Sequence, residues 1–176
     1  MSSTPLRPSG LHHHAYVSRD QERTRAFYEG VVGLPLVATW TETDPTSDFC
    51  HTFFELGDGS ALAFFQFADP DIQAVNEGKP TSVYDHVALA ATPDVQSAIA
   101  ARAEAAEVPT MLLDHGYCTS LYLSDPDGLL IEVTVDNPDA VAAAPGKRAT
   151  AHADLQRWLA GDHTDNNTFR SGHAEK

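Results

Sequence analysis

Apolar residues recur along this chain with two different periods, and the switches between them mark its elements. "LHHHAYVS" alternates loosely, as a strand does, and runs into Asp20, a residue suited to capping a helix. The next stretch, "DQERTRAFYEGVVG", sets Thr24, Phe27, Tyr28 and Val31 on one helical face and stops at Gly33. "GLPLVATW" then reads as a strand and "TETDPTSD" as a polar loop. "FCHTFFEL" and "ALAFFQF" are two further strands, joined by the hairpin signal "GDGS".

After a linker, "ADPDIQAVNEGKPTSVY", the same order of elements returns. "DHVALAA" is a strand, and "TPDVQSAIAARAEAAE" opens a helix with Thr92 as cap and Pro93 at the first helical position. Val95, Ile99, Ala103 and Ala106 form its apolar face, and Pro109 follows its end. "TMLLDHG", "CTSLYLS" and "LLIEVTV" are three strands, the last two separated by the turn "DPDG". The expectation is an α+β chain of two tandem βαβββ modules, residues 11–68 and 84–136. Residues 137–176 read as an Ala/Pro linker, a short helix at "ADLQRWLA" with Leu155, Trp158 and Leu159 on one side, and a tail.

Composition narrows the function classes. The chain has 176 residues, 25 acidic against 11 basic, and a formal net charge of −14. A nucleic-acid surface needs a basic stripe and an anionic membrane attracts basic segments, so neither partner is expected. No apolar run reaches the length of a membrane span, and the chain reads as soluble and cytoplasmic, with a small molecule as its partner. Cys50 and Cys118 have no metal-type spacing and suggest no disulfide framework.

The repeat selects the candidate chemistry. Superposing the modules sets "HHAYV" on "HVALA", so His13 matches His86, each at the head of an alternating strand. His12 and His14, one position away, are expected on the opposite face. Glu132 stands between Ile131 and Val133, where an unpaired charge would be costly. Two imidazoles and one carboxylate make a set that can hold a divalent ion with open positions for substrate. No local ligand motif accompanies them, so a metal on His13, His86 and Glu132 depends on the modules bringing them into one cleft.

"HHAYVSRDQERTRAFYEGVVGLPLV", "DHVALAA" and "DPDGLLIEVTV" resemble the vicinal oxygen chelate superfamily over about residues 11 to 136. That superfamily includes glyoxalase I, extradiol dioxygenases, fosfomycin-modifying enzymes and bleomycin-binding proteins. The resemblance implies a cupped, mostly antiparallel sheet around one divalent ion, with His13, His86 and Glu132 as its ligands. Glyoxalase-like members carry a fourth Glu or Gln ligand. Gln66 is the candidate for it here, and a polar cap at a strand end is its other reading. Aligning Gly59 with Gly128 sets Tyr122 opposite Phe53 and Ser120 opposite His51. If Tyr122 faces the cup, so does His51. Tyr122 is placed like the tyrosine of extradiol dioxygenases, and also like that of fosfomycin enzymes. His51 could move protons.

The resulting expectation is an extradiol-dioxygenase-like enzyme for a catecholic or similar small aromatic substrate. Fe(II) is the favoured ion, with Ni(II), Zn(II) or Mn(II) also suited. Glyoxalase-like isomerase or lyase chemistry, or drug binding without turnover, are the alternatives. A homodimer is expected by analogy with related proteins. His115 and Tyr117 read as residues at the cup mouth or as solvated loop side chains. Phe53, Phe64, Phe65 and Phe67 read as core or as an aromatic pocket.

Overall fold

The computed structural model describes residues 7–43, 45–77, 82 and 84–169. The tandem βαβββ order is present. The first module runs β1 (His13–Val17), α1 (Gln21–Phe27), β2 (Leu36–Thr43), β3 (Asp48–Glu55) and β4 (Ala61–Phe67). A short helix α2 (Pro70–Asn76) leads to the second: β5 (His86–Ala90), α3 (Pro93–Ala105), β6 (Thr110–Asp114), β7 (Cys118–Ser124) and β8 (Leu130–Asp136). The strands divide into two four-stranded sheets of matching order, β1-β4-β3-β2 and β5-β8-β7-β6. In each, the first strand pairs in parallel with the last and the other ladders are antiparallel.

The local signals act as expected. Asp20 accepts from the amides of Glu22 and Arg23, and Thr92 from that of Val95. Helix α1 continues as a π-helical turn, Tyr28–Val32, that ends at Gly33 with φ 87°. A side chain on Gly33 would meet the Arg102 guanidinium, since a Cβ there would lie 2.9 Å from Arg102 Nη2. Arg102, on α3, donates to the carbonyls of Val31 and Val32, so the unpaired end of the first helix is tied to the second.

That tie lies at the edge of a shared core. Tyr28, Phe54, Leu62 and Phe64 of the first module pack in one cluster with Ile99, Ala103, Leu123, Ile131 and Val133 of the second. The helix-covered faces of the two sheets therefore close on each other, and their open faces point away from this core. Tyr28, fully buried, donates from its hydroxyl to Asp125 Oδ2 at 3.0 Å, and Asp125 also accepts from the amides of Asp127 and Leu129. Burial pushes the Asp125 carboxyl up, against the pull of those donors.

Two segments differ from the sequence expectation. The linker holds α2, capped by Asp69, whose side chain accepts from the amides of Asp71 and Ile72. It is short and buries no residue, so it has no apolar stripe to read; residues 78–81 and 83 of that linker lie outside the described residues. The expected linker and short helix after residue 137 form one helix, α4 (Pro138–Leu159), with Pro145 inside it. A proline lacks one helical N–H and crowds the preceding turn, which is why the pattern reads as broken there. The Asn137 cap, Pro138 at the first position and an alanine-rich run outweigh that single defect. The end of the tail, residues 170–176, lies outside the described residues. No helix among the described residues is long and apolar enough to cross a membrane.

Replacing Tyr28 with Phe should remove one of the three donors to Asp125, the one that reaches Oδ2 from the first module. The expected loss is about 1–3 kcal/mol of unfolding free energy in urea titrations. An unchanged midpoint would mean that the hydroxyl is not part of what joins the modules.

Candidate metal centre

The pleat assigns the chemistry-bearing residues to the open faces. In the second sheet, Glu132 is paired across the ladders with Ala88 and Tyr122, so the three share a face that also carries His86 and Ser120. Glu132 is only 7% exposed. Its Oε2 lies 2.8 Å from His86 Nε2, and its Oε1 accepts from the Tyr122 hydroxyl at 2.8 Å. Burial raises the Glu132 pKa, but hydrogen bonds from Ser120 and Tyr122 and the nearby His86 and His115 outweigh it, leaving the carboxyl below its ordinary value. Tyr122 moves the opposite way, pushed up to about 12 by burial and by its bond to Glu132.

His115 belongs to this group as well. Its Nε2 lies 2.9 Å from the Tyr122 hydroxyl and 4.0 Å from Glu132 Oε1. The phenol has one proton, which goes to Glu132, so the imidazole must be the donor and carries its proton on Nε2. In sequence His115 reads as a cup-mouth residue or as a solvated loop histidine. It directly follows β6, and the β6–β7 turn brings its ring to Tyr122.

The first sheet carries the other candidates. His51 pairs with Phe65 and Trp40, and Phe53 with Ala63 and Ala38, on the open face that also holds His13. His51 stacks on Phe65 with ring centroids 3.7 Å apart and lies 6.0 Å from the His13 ring. It is 8% exposed and its Nε2 is buried without a hydrogen-bond partner. Burial lowers its pKa, helped by His13 and opposed by Glu42. The expected aromatics split: Phe64 is core, whereas Phe53, Phe65 and Phe67 share the open face.

Two expectations need correction. Gln66 lies one step from Phe65 and therefore faces the helix side, where its amide accepts from Gln21 N and donates to Arg19 O. It is not placed to join His13 as a fourth contact. His14 does take the opposite face, against Tyr16, but His12 does not: it precedes β1, escapes the alternation, and its Nδ1 lies 2.7 Å from that of His13. Arg25 and Arg19 are held by Glu22 and Glu29 and by Asp127 and Glu77.

The arrangement thus makes two clusters, His86–Glu132–Tyr122–His115 on one sheet and His13–His51 on the other. Among the described residues, no three His, Cys, Asp or Glu side chains gather into a group that could hold a metal ion.

Comparison with known proteins bears on this pattern. Residues 10–133 match the model of the Glyoxalase/Bleomycin resistance protein/Dioxygenase superfamily. The chain belongs to that superfamily. Solved structures share the fold. A FosX fosfomycin resistance protein from Mesorhizobium loti is 24% identical with TM-score 0.58, covering 78% of this chain and 99% of that one. FosX from Listeria monocytogenes, complexed with Mn(II) and sulfate, is 18% identical with TM-score 0.58, covering 77% and 99%. A candidate dioxygenase from Bacillus subtilis is 21% identical with TM-score 0.56, covering 73% of this chain but only 41% of that one. A search of curated proteins found no match.

The Listeria FosX structure holds Mn(II), and the donor set here can be tested against such an ion. Glu132 is already a carboxylate, and His86 stands beside its free oxygen, so one chain supplies two converging ligands. The third ligand of the expected set, His13, is on the other sheet.

Glu132, with a lowered pKa, contributes stability that is fully present above its ordinary value of 4.5 and lost as pH falls through the folded value. Tyr122→Phe should raise that folded value and flatten the loss of stability on acidification, read by urea unfolding stepped from about pH 6 to about pH 3. An unaltered acid limb would show that the phenol does not hold the carboxylate.

Proposed function

We propose that this chain is a divalent-metal-dependent enzyme of the extradiol-dioxygenase kind, acting on a small catechol-like aromatic, with each site completed by a second copy. The observation that carries this reading is the division of the donor set. His86 and Glu132 occupy one open face, and His13, at the matching position of the repeat, occupies the other. Both faces point away from the chain's own core, so they can meet only in another copy. Trp40, 60% exposed, and Met111, 57% exposed, give these faces apolar surface for such a contact.

In the completed site, His86 and Glu132 of one copy and His13 of a second would hold the ion. When bound, it supplies Lewis-acid stabilisation to two neighbouring substrate oxygens and, as Fe(II), access to O2. The protein's own part can be assigned group by group. Tyr122 holds Glu132 Oε1, which leaves Oε2 beside His86 for ligation. His51 keeps a low pKa and an unpartnered Nε2, so it can accept a proton from a substrate hydroxyl. Phe53 and Phe65 flank it and would pack against a flat ring.

A second reading keeps the site and does isomerase, lyase or fosfomycin-type chemistry with Mn(II), Ni(II) or Zn(II). Its support is the length match: FosX is covered almost whole, and the Bacillus dioxygenase by less than half.

Elemental analysis of untagged protein should find about one ion per chain, iron for the first reading and manganese, nickel or zinc for the second. Oxygen uptake with a catechol panel separates the two chemistries. His13→Ala and Glu132→Ala proteins should each lose the ion. When mixed and refolded together they should recover about a quarter of the wild-type sites, because half of the dimers are mixed and each carries one intact site. No recovery would rule out a site built between copies. His51→Ala should keep the ion yet lower turnover by about 10²–10⁴. Full activity there would remove His51 from the reaction.

A further inference from the structure

We infer that the C-terminal segment beyond the family match positions His115, acting through Asn137 and Asn167. The inference rests on the reading of His115, Tyr122 and Glu132 as one hydrogen-bonded unit of the site. The turn between β6 and β7 presents three successive carbonyls, and donors from beyond residue 136 take all of them. Asn167 Nδ2 donates to His115 O at 3.1 Å, Asn137 Nδ2 to Gly116 O at 2.8 Å, and Asn137 N to Tyr117 O at 2.9 Å. Carbonyls of a surface turn normally face water. Here side-chain and backbone amides fix the plane of each peptide, and with it the direction in which the His115 side chain leaves the chain.

The rest of the segment is arranged to deliver these two asparagines. Asn137 is the cap of α4, and Asn167 returns to the turn after the chain reverses. The return is tied to α4 by Lys147 Nζ donating to Asn166 O and by Arg157 Nη2 donating to Thr164 O. Helix α4 buries none of its residues, so it adds little to the core. A cavity of ≈ 470 Å³ lies between the turn, α4 and the tail, lined by Tyr117, Val141, Lys147 and Phe169 among others. The turn therefore borders open space on that side, and hydrogen bonds hold it there: these amide donors together with its own bonds from His115 N to Cys118 O and from Gly116 N to Asp114 Oδ1. If it shifts, His115 leaves Tyr122, and the phenol that donates to Glu132 Oε1 loses the donor that orients it.

Two isosteric substitutions test this. Asn137→Asp keeps the oxygen that accepts from Asp139 N, and Asn167→Asp keeps the one that accepts from Phe169 N. Each removes only the donor to the turn. Both also add negative charge near the site, which by itself would tighten cation binding. Loss of positioning weakens it, so the two effects have opposite sign.

The first readout needs no metal. Long-range nitrogen correlations of the His115 ring should show the Nε2–H tautomer in the wild type and a tautomer mixture in both variants, with the other histidines unmoved. The second is titration of the full chain with Mn(II). Each variant should bind roughly 10-fold more weakly at an unchanged unfolding midpoint. Asn167→Asp should cause no further weakening once His115 is Ala. Unmoved His115 signals, tighter Mn(II) binding, or equal weakening without His115 would each overturn the inference. If the ring moves while Glu132→Gln leaves Mn(II) binding intact, the metal reading falls and the positioning role stands.

Discussion

The Tyr28 hydroxyl, buried where the two modules meet, donates to a carboxylate in the turn that launches β8. Around that bond, α1 with its π-helical turn and α3 pack the helix-covered faces of both sheets into one core. A buried Asp125 is tolerable only because three donors reach it, so the contact specifies how the modules sit as much as it stabilises them. Once both helix-covered faces are committed inward, each sheet has one face left. Strand alternation then decides which side chains that face carries.

On the second sheet, the price of placing Glu132 in an apolar strand is a set of obligatory partners. Ser120, Tyr122, His86 and His115 all favour its ionised form, and together they overcome burial. The same partners distinguish its two oxygens, one bound by a phenol and one beside an imidazole. An oriented, deprotonated carboxylate is what a cation ligand requires. The first sheet offers a complementary face: imidazoles among aromatic rings, one of them with an unsatisfied nitrogen. Among the described residues, neither face alone gathers three such donors into a group that could hold a metal ion.

The segment after residue 136 has no counterpart in the repeat, yet it reaches the turn that carries His115. Its contribution is made through amide donors to a turn and not through burial. Such a role leaves almost no trace in hydropathy: Asn137 falls at the start of the expected linker, and Asn167 is one polar residue in a polar tail. His115 was obscured in the same way. A loop histidine gains a function only when the fold decides what its ring touches.

Properties that depend on neighbours in the chain were legible from the sequence. The 2.0 and 3.6 periods separated strands from helices, Asp20 and Thr92 marked helix starts, and the internal repeat paired His13 with His86 and Phe53 with Tyr122. Parity along the strands also set His51 and Tyr122 on the open faces. The Pro145 helix misled because a local penalty was offset by a cap and a long alanine-rich run. Tertiary structure alone decided how the modules meet. Periodicity states which face of a sheet is apolar, but not whether two such sheets enclose a cleft or turn their polar faces outward. That choice rests on packing between α1 and α3, residues far apart in sequence, and it separates His13 from Glu132 within the chain.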